Sequence, residues 1–501
     1  MNQDFIQIHP SDNVFVALRD VSMGENIHFN NVEIEVLENI PKGHKMAIRE
    51  IPNGEDVIKY GYSIGKSLQR IMPGSWVHVQ NLKSGLKGVL EYTYESAPAQ
   101  ASAQSDSPIN PRTFMGFVRD NGEVGIRNEI WVINTVGCIN KTCEAVVRMA
   151  NQQFKDRSFD GVYHFPHPFG CSQLGDDLKH TQLILSSLVN HPNAAGILVI
   201  GLGCENNHIA EFKKVLGAYD PRRVKFLSAQ SEQDEIEAAL AQMEELVAYA
   251  ETFSRQPVPV SKLKVGLKCG GSDGFSGITA NPLVGAFSDL LVSHGGTTIL
   301  TEVPEMFGAE TILMNRAATE TVFEDTVQLI NGFKEYFLSH GQEVYENPSP
   351  GNKEGGITTL EEKSLGCTQK GGTSQVVDVT SYGKRVQKQG LNLLQAPGND
   401  LVSVTALTAA GAHIVLFTTG RGTPFGGPVP TVKISTNTAL YERKPNWIDF
   451  NAGQLIDGVS MNQLKADFLE YVLQVASGER VTNNEKNGYR EIAIFKDGVI
   501  L

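Results

Sequence analysis

Residues 264–274 have the sequence KVGLKCGGSDG, an apolar run that ends in glycines and small polar side chains. Such a run is typical of a strand that is buried on both faces of a parallel sheet, and ligands bind beyond the carboxyl ends of such strands. The backbone N–H groups of the loop can hold a carboxylate, while Ser272 and Asp273 can contact hydroxyl groups. We therefore predict a substrate-binding loop that includes Gly270, Gly271, Ser272 and Asp273.

Three further apolar runs end in similar loops. They are residues 129–136, 196–200 and 413–418, which are followed by GCIN, GLGCEN and TGRGTP. Amphipathic segments at residues 232–252 and 319–339 alternate with these runs, which favours a mostly parallel, Rossmann-like α/β region. In the last loop Arg421 is a candidate carboxylate clamp, with Thr423 beside it, because a guanidinium group pairs with a carboxylate through two hydrogen bonds. A solvated surface arginine is the alternative.

Cysteines lie at several of these strand ends. Of the six cysteines in the chain, Cys138, Cys204 and Cys269 directly follow apolar runs, and Cys171 follows the short run 161–165 with His167 nearby. Buried free cysteines are most often small hydrophobic core residues. A group of thiolates can instead bind iron or another transition metal, and His167 can add a nitrogen ligand. We predict these five residues as metal ligands, although the chain has no CxxC spacing.

The first 95 residues contain short β-type runs separated by glycine and proline turns, which predicts a small all-β module. Within it, His78 and Gln80 alternate onto one face of a strand, so His78 is a candidate metal ligand, with a lone surface histidine as the alternative. His44 and Lys45 share a tight turn, and we predict that one of them serves as a catalytic base or acid.

The segment 96–112, SAPAQASAQSDSPINPR, is small, polar and proline-bearing, which is typical of a flexible linker. A second boundary is predicted near residues 255–261, RQPVPVS, where two prolines interrupt the helix pattern. The predicted organisation is therefore a β module at 1–95, a linker at 96–112, a middle α/β domain at 113–258 and a C-terminal α/β domain at 259–501.

The chain carries 43 basic and 56 acidic residues and a net charge of −13. A surface this acidic repels phosphate groups, so nucleic acid and anionic membranes are poor partners. The N-terminal sequence MNQDFIQIHP does not resemble an export signal, and the longest apolar stretch, residues 194–204, is about half of what a bilayer span needs. We expect a cytoplasmic protein that acts on a small molecule.

Together these segments resemble the altronate/galactarate dehydratase family. The resemblance extends over the whole chain through IPKGHK, KYG, WVHVQN, GFVRDNGEVGIRN, HPFGCSQLGDD, GLGCENN, KCGGSDGFSGITANP, TEVPEMFGAE, EEKSLGC and TTGRGTPFGG. It implies that the β module is of the SAF (β-clip) type. The chain departs from the family at Gln80, where a second histidine is expected, and at Cys367, where a small residue is expected. We therefore set Cys367 aside as a ligand.

The resemblance also implies a hydro-lyase that acts on a hexonic or hexaric sugar acid with iron(II) or manganese(II). Size and linker are more similar to the altronate branch than to the galactarate branch, and the expected assembly is a homodimer. Glu302 and Glu305 in TEVPEMFGAE are further catalytic candidates, for which a solvated loop is the alternative. A hydro-lyase with a labile iron–sulfur cluster and a non-catalytic sugar-acid-binding protein remain as rival interpretations.

Overall fold

The structure is a computed structural model that describes residues 4–29, 32–95 and 112–501. Apart from Arg112, the predicted linker lies outside these residues. Within the same ranges, every helix is too short or too polar to cross a membrane.

The N-terminal module is built from short strands, as predicted. They are β1 Phe5–Ile6, β2 Val14–Ala17, β3 Asn26–Phe29, β4 Val32–Glu35, β5 Lys45–Ala47, β6 Asp56–Lys59, β7 Tyr62–Ser67, β8 Trp76–Val77 and β9 Leu82–Lys83. Antiparallel pairing gives a four-stranded sheet β1-β2-β5-β8, a three-stranded sheet β6-β7-β9 and the hairpin β3-β4.

The middle region alternates strands with helices. Its elements are β10 Thr113–Val118, β11 Val124–Gly125, β12 Glu129–Asn134, α1 Asn140–Gln153, β13 Val162–His164, α2 Gly175–Val189, β14 Ala194–Gly201, α3 Ile209–Leu216, β15 Val224–Ser228, α4 Glu235–Ala250 and β16 Arg255–Pro259. Strands β13-β12-β14-β15 form a parallel sheet. Helices α1 and α4 cover one face, where Ile130 and Leu198 lie, and α2 and α3 cover the other, where Trp131 and Val199 lie. Burial on both faces explains the continuous apolar runs.

The two prolines near the second predicted boundary lie in strand β16. This strand pairs antiparallel with β10, so that Pro257 lies opposite Met115 and Pro259 opposite Thr113. Proline lacks a backbone N–H and is tolerated here because β16 is at the edge of the sheet β11-β10-β16.

The C-terminal region contains a larger parallel sheet. Its elements are β17 Lys264–Cys269, α5 Ala280–Ser293, β18 Thr297–Leu300, α6 Glu310–Met314, α7 Glu320–Ser339, α8 Pro350–Glu354, α9 Leu360–Thr368, β19 Val376–Thr380, β20 Gly390–Leu394, α10 Asp400–Ala409, β21 Ile414–Thr419, β22 Thr431–Ser435, α11 Thr438–Arg443, β23 Phe450–Asn451, α12 Met461–Ala476 and α13 Asn483–Lys486. The strand order β19-β20-β18-β17-β21-β22-β23 places β17 at the centre. The predicted α/β class with an N-terminal all-β module is confirmed.

The N-terminal module packs directly on the C-terminal region. Leu365 of α9 and Ala309 belong to the same buried cluster as Val57 and Ile64 of the module. The backbones also approach closely, because a Cβ atom on Gly274 would lie 1.9 Å from the carbonyl oxygen of Gly43. Only glycine allows the loop after β17 to touch the module at this point.

We expect Gly274→Ala to lower the free energy of unfolding by about 1–3 kcal/mol, because the new methyl group must push the module away from the loop. Gly332→Ala is the matched control, since Gly332 lies on the exposed side of α7 and an added Cβ would meet no atom within 4 Å. The control is expected to gain about 0.5–1 kcal/mol. Urea unfolding of both full-length variants measures the difference, and equal stabilities would contradict the close approach.

Candidate functional site

The candidate site lies at the carboxyl end of β17, where the N-terminal module covers the large sheet. Strand β17 ends in Lys268 and Cys269, and β18 leads into the turn that contains Glu302 and Glu305. Helix α9 contributes side chains from the side of the module. All of these groups are buried, so their charges interact in a medium that screens them weakly.

Two carboxylates of the C-terminal region are each paired with lysines. The carboxylate of Glu302 accepts hydrogen bonds from Lys268 and, at 2.6 Å, from Lys370, while Glu305 accepts one from Lys363 at 2.8 Å. Burial acts to raise the pKa of Glu305, but the ammonium groups of Lys363, Lys268 and Lys370 lower it to about 2. Glu305 is therefore ionised at neutral pH, and the cluster carries fixed positive charge around it.

Two thiols lie against the same glutamate. The Sγ atoms of Cys269 and Cys367 are 3.2 Å apart, and Glu305 Oε2 lies 3.4 Å from the first and 3.1 Å from the second. These three ligand atoms lie within 4.8 Å of one another, so the group can hold a metal ion. The hydrogen bond with Cys269, together with burial, raises the pKa of Cys367 well above its usual value, so a bound ion must displace thiol protons.

A second buried cluster joins the module to α9. Glu362 accepts hydrogen bonds from Lys45 at 2.8 Å and from Lys59 at 2.7 Å, and we name these three residues the ion triad. Lys45 also donates to Thr358 Oγ1 at 2.8 Å and to the carbonyl oxygen of Gly356 at 2.7 Å. Burial lowers the pKa of Lys45 to about 8 although Glu362 opposes the shift.

Two histidines of the module lie beside the ion triad, with ring centroids 5.1 Å apart. Trp76 Nε1 donates to His44 Nδ1 at 3.2 Å, which places the proton of His44 on Nε2, 3.1 Å from the carbonyl oxygen of Glu354. His78 Nδ1 lies 3.0 Å from Thr358 Oγ1. Burial and the charge of Lys45 lower the pKa of His78 to about 4, so His78 is neutral near pH 7.

A cleft of about 350 Å³ opens next to these groups. Lys42, Arg421 and Arg443 line it together with Asp273 and backbone of the surrounding loops. Arg421 is about half exposed and donates from Nη2 to a carboxylate oxygen of Glu354 at 3.1 Å. Three cations around one cleft, in a chain with a net charge of −13, favour an anionic ligand.

The glycine-rich loop after β17 forms one wall of this cleft. Asp273 accepts hydrogen bonds from Ser276, Thr436 and Asn437, so its carboxylate holds the loop in place. Ser272 is buried and lines a small cavity between this loop and α9. Asp273 therefore lines both the cleft and the small cavity, and Ser272 and Cys367 line the small cavity. Gly270 and Gly271 connect this wall to β17.

Family models match the chain in three consecutive segments. Residues 3–85 match the altronate/galactarate dehydratase SAF domain, residues 116–251 the second domain of D-galactarate dehydratase/altronate hydrolase, and residues 260–500 the D-galactarate/altronate dehydratase C-terminal domain. A protein of Bacillus subtilis (strain 168) named altronate dehydratase is 54% identical over 501 residues, with 100% of each chain covered.

The chain belongs to the altronate/galactarate dehydratase family. The altronate dehydratase of Escherichia coli (strain K12) is 50% identical, with 99% of this chain and 100% of that protein covered. The galactarate dehydratase (L-threo-forming) of the same organism is 33% identical, with 98% and 96% covered. The family resemblance inferred from the sequence is confirmed.

The site residues predicted from the sequence lie in three places. The structure brings Cys269, Glu302 and Glu305 together at the end of β17, and His44, Lys45 and His78 lie beside them on the module. Thr423 lies in the cleft loop, where its hydroxyl oxygen accepts from the N–H of Phe425 at 3.3 Å. Cys138, His167, Cys171 and Cys204 lie in the middle region instead.

His167 is held within that middle region. Its Nε2 lies 2.9 Å from the carbonyl oxygen of Asn134, and its Nδ1 accepts from the N–H of Phe169 at 3.2 Å. Both ring nitrogens are therefore engaged with backbone groups of the loops around β12 and β13. Burial lowers the pKa of His167 to about 4, which keeps the imidazole neutral.

Most of the lysines of the site were not predicted from the sequence, and one of its two thiols was set aside. The missed or discounted residues are Lys59, Lys268, Glu362, Lys363, Cys367 and Lys370. Lys268 could have been predicted, because it interrupts the apolar run of β17. A charged side chain at such a buried position needs a partner of opposite charge. Lys59 lies in the family segment KYG, and Glu362, Lys363 and Cys367 lie in EEKSLGC, with Lys370 three residues beyond it. Nothing local indicated that these residues are buried.

Replacing the central carboxylate of the ion triad tests its role. We expect Glu362→Gln to lower the free energy of unfolding by about 3–5 kcal/mol, because it leaves two buried ammonium groups without a counter-charge. The Glu362 carboxylate stabilises the fold above its unfolded pKa, and this stabilisation is lost as the pH falls through its folded pKa of about 2. The loss of stability in the variant should therefore appear at neutral pH. Glu361→Gln is the matched control, because burial raises the pKa of Glu361 and the structure pairs it with N–H and hydroxyl donors only. Chemical unfolding at neutral pH compares them, and similar losses would refute the assignment.

Proposed function

We propose that this chain dehydrates D-altronate to 2-keto-3-deoxy-D-gluconate. The choice of D-altronate as the substrate rests on sequence identity over the full length: 54% and 50% to two proteins named altronate dehydratase, against 33% to a galactarate dehydratase. A cationic cleft beside a buried group of carboxylates, lysines and thiols supports a reaction on a sugar acid. The cytoplasmic location and the homodimer predicted from the sequence belong to the same proposal.

The cleft supplies the binding of the substrate carboxylate. Arg421 is the central group, because its guanidinium can pair with a carboxylate through two hydrogen bonds and is already directed toward one, that of Glu354. Lys42 and Arg443 add positive charge at the mouth. Asp273 of the loop after β17 lines the same cleft, where sugar hydroxyl groups can be bound.

The reaction removes the C2 proton and expels the C3 hydroxyl group, and the resulting enol becomes the keto acid. A proton next to a carboxylate is weakly acidic, so the site must stabilise the negative charge that develops. Lys363, Lys268 and Lys370 provide fixed positive charge for this purpose without reorganisation. Cys269, Cys367 and Glu305 would hold the metal ion, and their sulfur atoms favour iron(II) over manganese(II). When bound, the ion supplies Lewis-acid chemistry toward a substrate oxygen.

A hydrogen-bonded chain on the module side supplies proton transfer. While Lys45 is protonated it donates to Thr358 Oγ1, so the hydroxyl hydrogen of Thr358 is directed to His78 Nδ1 and the proton of His78 stays on Nε2. When Lys45 loses its proton, Thr358 can donate to Lys45 instead. His78 then carries its proton on Nδ1, and its Nε2 becomes a base. His78, Thr358 and Lys45 therefore act as one unit in this proposal.

Turnover tests the reaction and the substrate together. We expect anaerobic protein loaded with Fe²⁺ to form a 2-keto-3-deoxy acid from D-altronate at least about tenfold faster than from galactarate, because hydroxyl recognition discriminates strongly between sugar acids. Turnover of D-altronate by protein loaded with Mn²⁺ should be slower, because the sulfur ligands Cys269 and Cys367 favour iron(II). Preference for galactarate would keep the reaction and change the substrate, while binding of D-altronate without product would establish a binding protein.

The pH dependence tests the proton chain. We expect kcat for D-altronate to rise with pH through about 8, because Lys45 must be deprotonated before His78 Nε2 can act as a base. The matched variant is Thr358→Val, which keeps the shape of the side chain but breaks the link to His78. It should lower kcat and remove this rise. A profile in the variant that parallels the unmodified enzyme would contradict the chain.

A further inference from the structure

Three cysteines of the middle region are separate from the site described above. Cys138 follows β12, Cys171 follows β13 and Cys204 follows β14, and we name them the cysteine triad. These three strands are neighbours in one parallel sheet, so their carboxyl ends share one edge. All three cysteines are exposed, whereas Cys143, Cys269 and Cys367 are buried. Packing of a small hydrophobic side chain therefore does not explain the triad.

Hydrogen bonds between the three loops fix the triad on one surface. The N–H of Gly137 donates to the carbonyl oxygen of Phe169 at 2.8 Å, which ties the first loop to the second. The N–H of Ser172 donates to Asn206 Oδ1 at 2.8 Å, which ties the second loop to the third. Each triad cysteine lies within two residues of one of these bonds. The three loops that carry the thiols are consequently tied to one another at one edge of the sheet.

As placed in the described structure, the three sulfur atoms of the triad do not form a ready site for a single ion. In the described ranges, the group of ligand atoms that lie within 4.8 Å of one another is Cys269, Glu305 and Cys367, and the triad does not meet this limit. Three sulfur atoms on one tetrahedral ion would be about 3.8 Å apart. Iron–sulfur clusters place several metal ions and sulfides between the thiolates and are held by cysteines. A triad with wider spacing fits that class of cofactor.

The backbone around the triad favours an anionic group. Helices α1, α2 and α3 each begin a few residues after one triad cysteine, and none of the three has a side-chain hydrogen bond at its N-cap. Their N-terminal N–H groups and helix dipoles therefore stabilise negative charge at this edge of the sheet. An iron–sulfur cluster with thiolate ligands carries such charge.

Gln230 and Gln173 carry amide donors in or next to the loops of two triad cysteines. Gln230 Nε2 donates to the Sγ of Cys204 at 3.5 Å. Gln173 is 2% exposed; its Oε1 accepts from the N–H of Gly170, and its Nε2 has no hydrogen-bond partner among the described residues. A buried donor without a partner costs free energy, and Gln173 lies two residues after Cys171, so an acceptor bound at this loop can satisfy it.

We propose that the cysteine triad binds an iron–sulfur cluster of the four-iron class, with one thiolate on each of three irons. The fourth iron then has no protein thiolate and can take an oxygen ligand. Loading from a preassembled cluster capped by small thiolates involves no redox step, because each protein thiol gives its proton to the thiolate that it displaces. The proposal is independent of the reaction assigned to the C-terminal site.

The test is anaerobic transfer of a synthetic, thiolate-capped four-iron cluster to the full-length protein, followed by gel filtration. We expect about four irons and about four sulfides per chain, with visible charge-transfer absorption. Cys138→Ser, Cys171→Ser and Cys204→Ser should each reduce retained cluster by at least about tenfold. Cys143→Ser is the matched control, since this thiol is buried in α1 and should leave the retained cluster unchanged.

Protection of thiols gives a second measurement that needs no variant. After alkylation of the loaded protein and removal of the cluster, peptide mass spectrometry should find the three triad thiols unmodified, whereas they should be alkylated in cluster-free protein. Any of three outcomes would overturn the proposal: iron is retained without sulfide, the Cys143→Ser control loses as much cluster as the triad variants, or the triad thiols are alkylated equally with and without the cluster. Turnover of D-altronate is not used as a readout, so failure of the reaction and failure of the cluster site are distinguishable.

Discussion

The buried carboxylate of Glu362 holds the two ends of the site together. It lies between the ammonium groups of Lys45 and Lys59, at 2.8 and 2.7 Å, with all three side chains at most 1% exposed. Removing charges from water is costly, and the cost is offset only while the partners stay in contact. The module can therefore occupy only positions that keep both lysines on α9. This constraint places His44 against the backbone of Glu354 in α8 and His78 against Thr358, just before α9.

The same rule operates on the C-terminal side of the site. Glu302 and Glu305 are buried with Lys268, Lys363 and Lys370. These lysines lower the pKa of Glu305, whereas burial alone would raise it, so this carboxylate remains ionised. Because each lysine is fixed by its partner, the positive charge is already oriented before a substrate arrives. Preorganised charge of this kind stabilises a developing oxyanion more effectively than mobile water does. The N-terminal and C-terminal clusters meet at α9, which carries residues of both.

The parallel strands could be predicted because burial on both faces leaves an unbroken apolar run, as at residues 196–200, which the structure extends to β14, Ala194–Gly201. Strand β16 escaped prediction because its prolines are tolerated only through an edge pairing with the distant β10. The sequence indicated Glu305 and Cys269 as site residues, yet it gave no sign that Lys59 would be buried. A charged residue is exposed by default, and its partner lies 303 residues away.

That separation has a consequence for the order in which the chain is made. Ribosomal synthesis adds about 5–20 residues per second, so Glu362 emerges roughly 15–60 s after Lys59, given a separation of 303 residues. During this interval Lys45 and Lys59 have no Glu362 to pair with, and their ammonium groups remain hydrated. The surface that later packs on α9 therefore stays hydrated and charged while the rest of the chain is synthesised. This charge disfavours premature apolar contacts until the matching helix has formed.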